Sequence, residues 1–152
     1  MEPKIVRKDA FTVIGVPARG NPMTMDYRDI WENRFMKVHD QVKPLSAEDA
    51  YFGAYFATEE ENVVDMIAGV AAADDAQAPE GLAARELPAA DYAVFECKLA
   101  GIAETWQAIM AQWLPASGYA YDPSKAAFEQ YPSDCQGPDS DVSIFVPVKP
   151  RA

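Results

Sequence analysis

The sequence predicts an α+β fold: a duplicated βαββ unit whose strands form a curved antiparallel sheet, with two helices flanking a central groove. Three observations predict it. β-rich runs and amphipathic helical stretches follow one another in the same order in each half of the chain. Phe11 matches Tyr92, Trp31 matches Trp106, Tyr55 matches Tyr131 and Val63 matches Val142, at offsets drifting between 75 and 81 residues. That drift falls in connections, where insertions are tolerated, as expected of a repeated unit. The pseudo-repeats cover about residues 4–72 and 82–148 of a single domain spanning 1–152.

In the first half, residues 4–16 are β-rich and end at a Pro- and Gly-containing segment, 17–22, that reads as a loop. Thr24 or Asp26 then caps a helix running to about Val42, with Tyr27, Ile30, Trp31, Phe35 and Val38 at helical spacing and Lys43-Pro44 as the stop. Residues 51–57 and 62–72 read as strands around the polar turn Thr58-Glu59-Glu60-Glu61, although the Ala-rich second run also fits a helix. The second half repeats this order. Residues 82–99 contain the strand pattern around Tyr92, and 102–114 place Ile102, Trp106, Ile109, Met110 and Trp113 on one helical face before Pro115 stops the helix. Residues 126–131 and 141–148 close the unit as strands.

Composition excludes several classes of function. Thirteen Lys and Arg against 24 Asp and Glu leave a net charge of −11, which repels nucleic-acid phosphates and anionic lipid, so no direct nucleic-acid partner is expected. No run approaches the roughly 20 apolar residues that span a bilayer, and the N-terminus lacks a secretory pattern, so the expected location is the cytoplasm. Cys97 and Cys135 are too few for a disulfide framework or zinc site and read as reduced thiols. No metal, phosphate-loop or dinucleotide motif appears, and no cofactor is expected. His39, the only histidine, would have to carry any Ser-His-Asp or Cys-His device alone. The Glu59-Glu60-Glu61 run and the Asp74-Asp75 pair read as solvated turns.

One residue resists such plain readings. Glu129 stands in the strand pattern Ala127-Phe128-Glu129-Gln130-Tyr131, at a position normally given to an apolar residue. A buried acid without a partner is costly, so this one is a candidate for binding or chemistry; the plain alternative is a solvated edge-strand acid, or a partner of Lys125. Strand alternation puts Glu129 and Tyr131 on one face, Phe128 and Gln130 on the other. In the first copy Gly53 and Tyr55 take the places of Glu129 and Tyr131, so only one copy carries the acid. Trp31, Trp106 and Trp113 fit ordinary core packing, Trp106 fitting the groove wall equally well.

The ordered set Leu87-Pro88 through Phe95, Thr105-Trp106, Gln112-Trp113-Leu114-Pro115, Ala127-Phe128-Glu129-Gln130-Tyr131 and Ile144-Phe145-Val146-Pro147-Val148 resembles the GyrI-like, or AraC-type effector-binding, domain. Residues 1–80 match it in general pattern and in Tyr51-Phe52-Gly53-Ala54-Tyr55. The resemblance implies a pseudo-twofold groove that binds small molecules, often lipophilic cations, with one buried Glu as anchor. It implies a ligand-binding set of Glu129, Tyr131, Trp106, Tyr55, Phe145, Met66 and Trp31, Phe145 and Met66 being counterparts on the last strands of the two copies. Because the pattern fills nearly the whole chain, it resembles the standalone branch, which lacks the DNA-binding helix-turn-helix segment of the transcription-factor members. Two further readings follow: a hydrolase opening reactive cyclopropane rings with Glu129 and Tyr131, and a protein-interaction module of gyrase-inhibitor type, whose acidic surface meets a basic partner.

Overall fold

The computed structural model describes residues 2–73, 75–135 and 137–151; Asp74, the first of the acidic pair, lies outside them. The strands are β1 (Lys4–Lys8), β2 (Phe11–Gly20), β3 (Ala50–Ala57), β4 (Val64–Ala71), β5 (Ala83–Leu87), β6 (Ala90–Lys98), β7 (Tyr119–Tyr121), β8 (Ala127–Pro132) and β9 (Asp141–Pro150). All pair antiparallel, in the order β1-β6-β9-β8-β3-β4-β2-β5, with β7 added to β9. This order has the same plan from either end: each half contributes three inner strands and sends its leading strand, β1 or β5, to the far half's edge.

That exchange explains one departure from the sequence reading. Residues 4–16 are not one strand, because β1 pairs with β6 and β2 pairs with β4 and β5. Both pieces are equally β-prone, and the break at Asp9-Ala10 carries no Gly or Pro to mark it. Nor is 17–22 wholly loop. Strand β2 runs through Pro17 to Gly20 on β4 after its pairing with β5 has ended at Gly15. A proline is tolerated on such an open edge. The Ala-rich run forms β4, resolving its ambiguity in favour of a strand.

Both helices lie on one face of the sheet. The first opens at Asp26, whose Oδ1 accepts the Asp29 N–H at 3.0 Å, while Thr24 turns back to the Asn21 carbonyl. It is π-helical over Asp29–Phe35, α-helical over Met36–Val42 and ends in a 3-10 turn at Lys43–Leu45. The second runs from the 3-10 turn Leu99–Gly101 through Ile102–Ala108, a π-helical stretch Ile109–Trp113 and a last turn Leu114–Ala116. Pro115 therefore sits inside the final turn instead of stopping the helix before it. The wider π-helical turn just ahead of it changes which carbonyl faces residue 115. None of the described helices is long and apolar enough to cross a membrane.

The opposite face carries no helix, yet Phe52, Phe128 and Tyr92 are fully buried there. Curvature covers them. Phe11 on β2 and Phe128 on β8 are three strands apart, about 14 Å in a flat sheet, but their rings meet at 5.2 Å. Tyr92 on β6 reaches the same ring, also at 5.2 Å. The sheet bends until its ends pack across its own concave face, an aromatic core separate from the clusters under the helices.

Candidate functional site

Glu129 lies on the helix-bearing face of β8, 3% exposed. Three neutral donors hold its carboxylate. Tyr55 on β3 donates to Oε1 at 2.9 Å, Tyr131 donates to the same oxygen, and the Trp106 indole N–H of the second helix donates to Oε2 at 2.7 Å. Burial pushes the Glu129 carboxyl above the usual glutamate range, and the three hydrogen bonds oppose that rise. Burial and the nearby acid also hold the Tyr55 and Tyr131 hydroxyls well above the ordinary tyrosine value, so both remain donors at neutral pH.

Directly across the central strand pair stands Gly53, in register with Glu129. A Cβ there would lie 3.3 Å from Met66 Cε, 3.5 Å from Trp31 Cζ2 and 3.6 Å from Glu129 Oε1. The absent side chain thus lets the first helix, β4 and the acid converge. Trp31 packs edge-on to Tyr131 at 5.3 Å, and Met66 is fully buried beside Ile30, Tyr55 and Trp31. Trp31, Trp106 and Tyr55 are each half-buried and roof the acid. A cavity of about 360 Å³ is lined by Arg19, Asp65, Met66 and Arg85, and Glu129 is not among its lining residues.

Six of the seven residues expected from sequence therefore converge: Glu129, Tyr131, Trp106, Tyr55, Met66 and Trp31. Phe145 does not. It pairs with Phe128 and stacks on that ring at 4.3 Å, on the face away from Glu129. The error lies in the repeat alignment. Register matches Gly53 to Glu129 on the central strands, and hence their partners Ala68 and Ile144, at an offset of 76 residues. The counterpart of Phe145 is Gly69, not Met66, and a slip of three residues in a period-two element exchanges its faces.

Tyr27 is the member that sequence reasoning left as a helix-spacing aromatic. Its hydroxyl donates to the Pro22 carbonyl and lies beside that of Tyr55. Burial first, then the Glu129 charge, pushes it up to about 12. Its position four residues before Trp31, on the same helical face, was the available signal. Cys97 sits nearby, its thiol raised by burial and by Glu129 against a hydrogen bond with Thr105. Trp113 instead packs on Phe95 and Tyr119, and His39 pairs with Tyr51 at 2.9 Å. Among the described residues no three His, Cys, Asp or Glu side chains cluster as a metal site.

The fold and the chain match known proteins. The structure bound to tetraphenylphosphonium of the protein SAV2435 superposes with a TM-score of 0.80 at 16% identity, over 98% of this chain and 94% of that one. An integron cassette protein from the mobile metagenome of Vibrio cholerae superposes with a TM-score of 0.69 at 19% identity, over 98% and 97%. In sequence, the transcriptional regulator BrlR of Pseudomonas aeruginosa is 28% identical across 97% of this chain, which spans 56% of the regulator's length. The profile of Cass2, the integron-associated effector binding protein, matches residues 4–148. With nearly its whole length inside that profile, the chain belongs to the Cass2 effector-binding family, within the GyrI-like superfamily, and is a small-molecule-binding domain.

Proposed function

We propose that this chain binds lipophilic, aromatic organic cations, with Glu129 as the counter-charge. The observation that carries this is a buried carboxylate whose three partners are all neutral donors, so its charge is stabilised but not cancelled. A cation entering beneath the aromatic roof gains Coulomb attraction in a reduced dielectric and contact with ring faces, each cation–π contact being worth about 0.5–2 kcal/mol. Such a site selects by charge and apolar bulk. The tetraphenylphosphonium bound to SAV2435 is a cation of that kind.

Calorimetry with tetraphenylphosphonium tests the reading. Glu129→Gln should weaken binding by about tenfold or more, the loss of one desolvated charge contact, and a neutral compound of similar shape should bind the native chain more weakly. Equal affinities in both comparisons would sink it.

The two tyrosine hydroxyls at Oε1 also favour a second reading, a hydrolase acting on strained electrophilic rings, since they supply acids beside a carboxylate. The three donors occupy both carboxylate oxygens of Glu129, which suits a held counter-charge better than a general base that must take up a proton. Multiple turnovers of a cyclopropane-bearing alkylator to a water adduct, abolished in Glu129→Gln, would establish the hydrolase.

A further inference from the structure

We propose that the cavity where β5 begins is a second ligand site, on the sheet face opposite Glu129, and that it takes a small carboxylate with an apolar body, the carboxylate held by Arg85. It is independent of the cation site.

The cavity follows from strand pairing. β2 and β4 pair Pro17 with Ile67, Ala18 with Met66 and Arg19 with Asp65. β5 joins β2 only as far as Gly15, whose partner is Ala83. Beyond that point β2 runs on to Gly20 with no described strand on that side, which leaves a step in the sheet edge. The step is the cavity of about 360 Å³, inside the range of about 300–1,000 Å³ that small-molecule sites occupy. Met66 and Ala18 pack among the residues under the first helix, whereas Ile67 and Ala83 pack with the aromatic core of the other face. Period-two alternation therefore sets Pro17, Arg19, Asp65 and Arg85 on that other face with them.

The charges at its wall are unequally committed. Arg19 Nη1 donates to both Asp65 oxygens, at 3.2 and 3.4 Å, and its Nη2 donates to Glu59 at 2.9 Å. Arg85 is different. Its guanidinium lies over the Phe56 ring, with Cζ 4.1 Å from the ring centre, and its Nη1 stands 3.7 Å from Asp65 Oδ2, beyond hydrogen-bond length. Among the described residues Arg85 makes no hydrogen bond to the protein. Stacking and a long ion pair thus hold the planar fork at the cavity while its N–H donors remain unspent, and a carboxylate is the partner that such a fork meets with two parallel hydrogen bonds.

The surroundings narrow the ligand. Pro17, Ile67 and Ala83 give the cavity an apolar lining, which an inorganic anion would leave uncovered. Asp65 beside the fork and a net charge of −11 disfavour polyanions, so one negative charge fits best. An added β-strand does not fit this edge, because Pro17 has no N–H and its carbonyl already accepts from Arg34 Nη2.

The test uses 4-phenylbutyrate and its uncharged amide, 4-phenylbutyramide, titrated into the full chain and followed by the backbone amide resonances. The carboxylate should bind about fivefold or more tighter than the amide, the effect of charge-assisted hydrogen bonds at a half-exposed site, and it should shift Ala83, Ala84 and Arg85. Arg85→Gln should bring the carboxylate down to the affinity of the amide. Arg85→Lys, which keeps the charge and loses the fork, should fall between. Ala83→Leu, which fills the cavity, should remove binding of both compounds. Tetraphenylphosphonium should bind Arg85→Gln within about twofold of native, a difference of roughly 0.4 kcal/mol, and should not displace 4-phenylbutyrate. Equal affinity for carboxylate and amide, no binding of either, a carboxylate affinity unchanged in Arg85→Gln, or displacement by tetraphenylphosphonium would each overturn the second site. Failure of tetraphenylphosphonium to bind the native chain would count against Glu129 as counter-charge and leave the Arg85 site standing on its own titrations.

Discussion

The two halves of the sheet share one plan and differ where their strands are most crowded. In the second half, β6 and β9 pair Val94 with Phe145; at the corresponding position in the first half, β2 and β4 pair Gly15 with Gly69. Across the central pair the second half places Glu129 and the first places Gly53. The side chains removed from one half make room for what the other half carries. Gly53 admits Trp31 and Met66 to the acid, and the Gly15–Gly69 pair lets two backbones close to a separation no side chain permits. A duplicated scaffold thus acquires a single polar site by loss on one side and gain on the other.

The sharpest way to break this comparison is to give the first half the bulk of the second. A Cβ on Gly69 would lie 1.9 Å from the Ile14 carbonyl oxygen, and one on Gly15 would lie 2.1 Å from that of Ala68. Both obstacles are backbone and cannot rotate away. Gly69→Ala should cost more than about 4 kcal/mol, in the range of exceptional single substitutions, or prevent folding altogether; a denaturation midpoint close to native would show that the strands separate easily. In the second half the same concave face is filled with rings. Phe128→Ala removes the ring that meets Phe11, Phe52, Tyr92 and Phe145, and should cost about 3–5 kcal/mol. Cation affinity of the surviving folded fraction should hold within about twofold, a change of roughly 0.4 kcal/mol, because Phe128 lies on the face away from Glu129.

How far the sequence revealed these differences depends on what kind of signal each leaves. Glu129 was legible because an acid inside an apolar alternation is anomalous, and Trp31 with Trp106 because a rare residue recurred on two helical faces. Phe145 was misplaced because aromatic identity invites alignment and register is invisible in one strand alone. The curvature that buries Phe128 leaves no local mark either. It arises from the sum of strand twists and the exchange of β1 and β5 between halves. Tyr27 was hidden for a different reason: half-buried helix aromatics are common, and only the three-dimensional path of the segment before the helix brings its hydroxyl to Tyr55.

The acid should also give stability and binding opposite responses to pH. Its folded value lies above the ordinary 4.5 because burial disfavours the charge. A carboxyl raised on folding contributes stability that is full below its unfolded value and lost as pH rises through the folded one. Acidification from neutrality should therefore add stability at this site while removing the anion that holds the cation. Asp49, Asp122 and Glu59, which fall below their usual values, act in the opposite sense on stability as pH drops through their own range. The difference between native and Glu129→Gln chains isolates the site: native stability should gain on the variant, and native cation affinity should fall toward it, between neutrality and about 4.5. Parallel titrations of the two chains would refute a buried, titrating Glu129.

The smallest effect expected concerns the two tyrosines, which reach Oε1 from opposite halves. Tyr131 is 9% exposed and packs edge-on against the Trp31 ring, whereas Tyr55 is half-buried and has the Tyr27 hydroxyl beside it. Each hydroxyl stabilises the anion, so Tyr55→Phe and Tyr131→Phe should each move the pH midpoint of cation binding upward. The shift should be larger for Tyr131→Phe, because its neighbourhood offers less access to a replacement donor, whereas Tyr27 stands ready near the vacated Tyr55 position. Losing one neutral hydrogen bond to a charged oxygen is worth about 1.5–3 kcal/mol where nothing replaces it, and less where Tyr27 does. Since both donors share one acceptor atom, the double variant should shift the midpoint by an amount different from the two single shifts added together. Strict additivity would mean that the hydroxyls act on the ligand separately, and the half-to-half symmetry around Glu129 would then have no part in setting its charge.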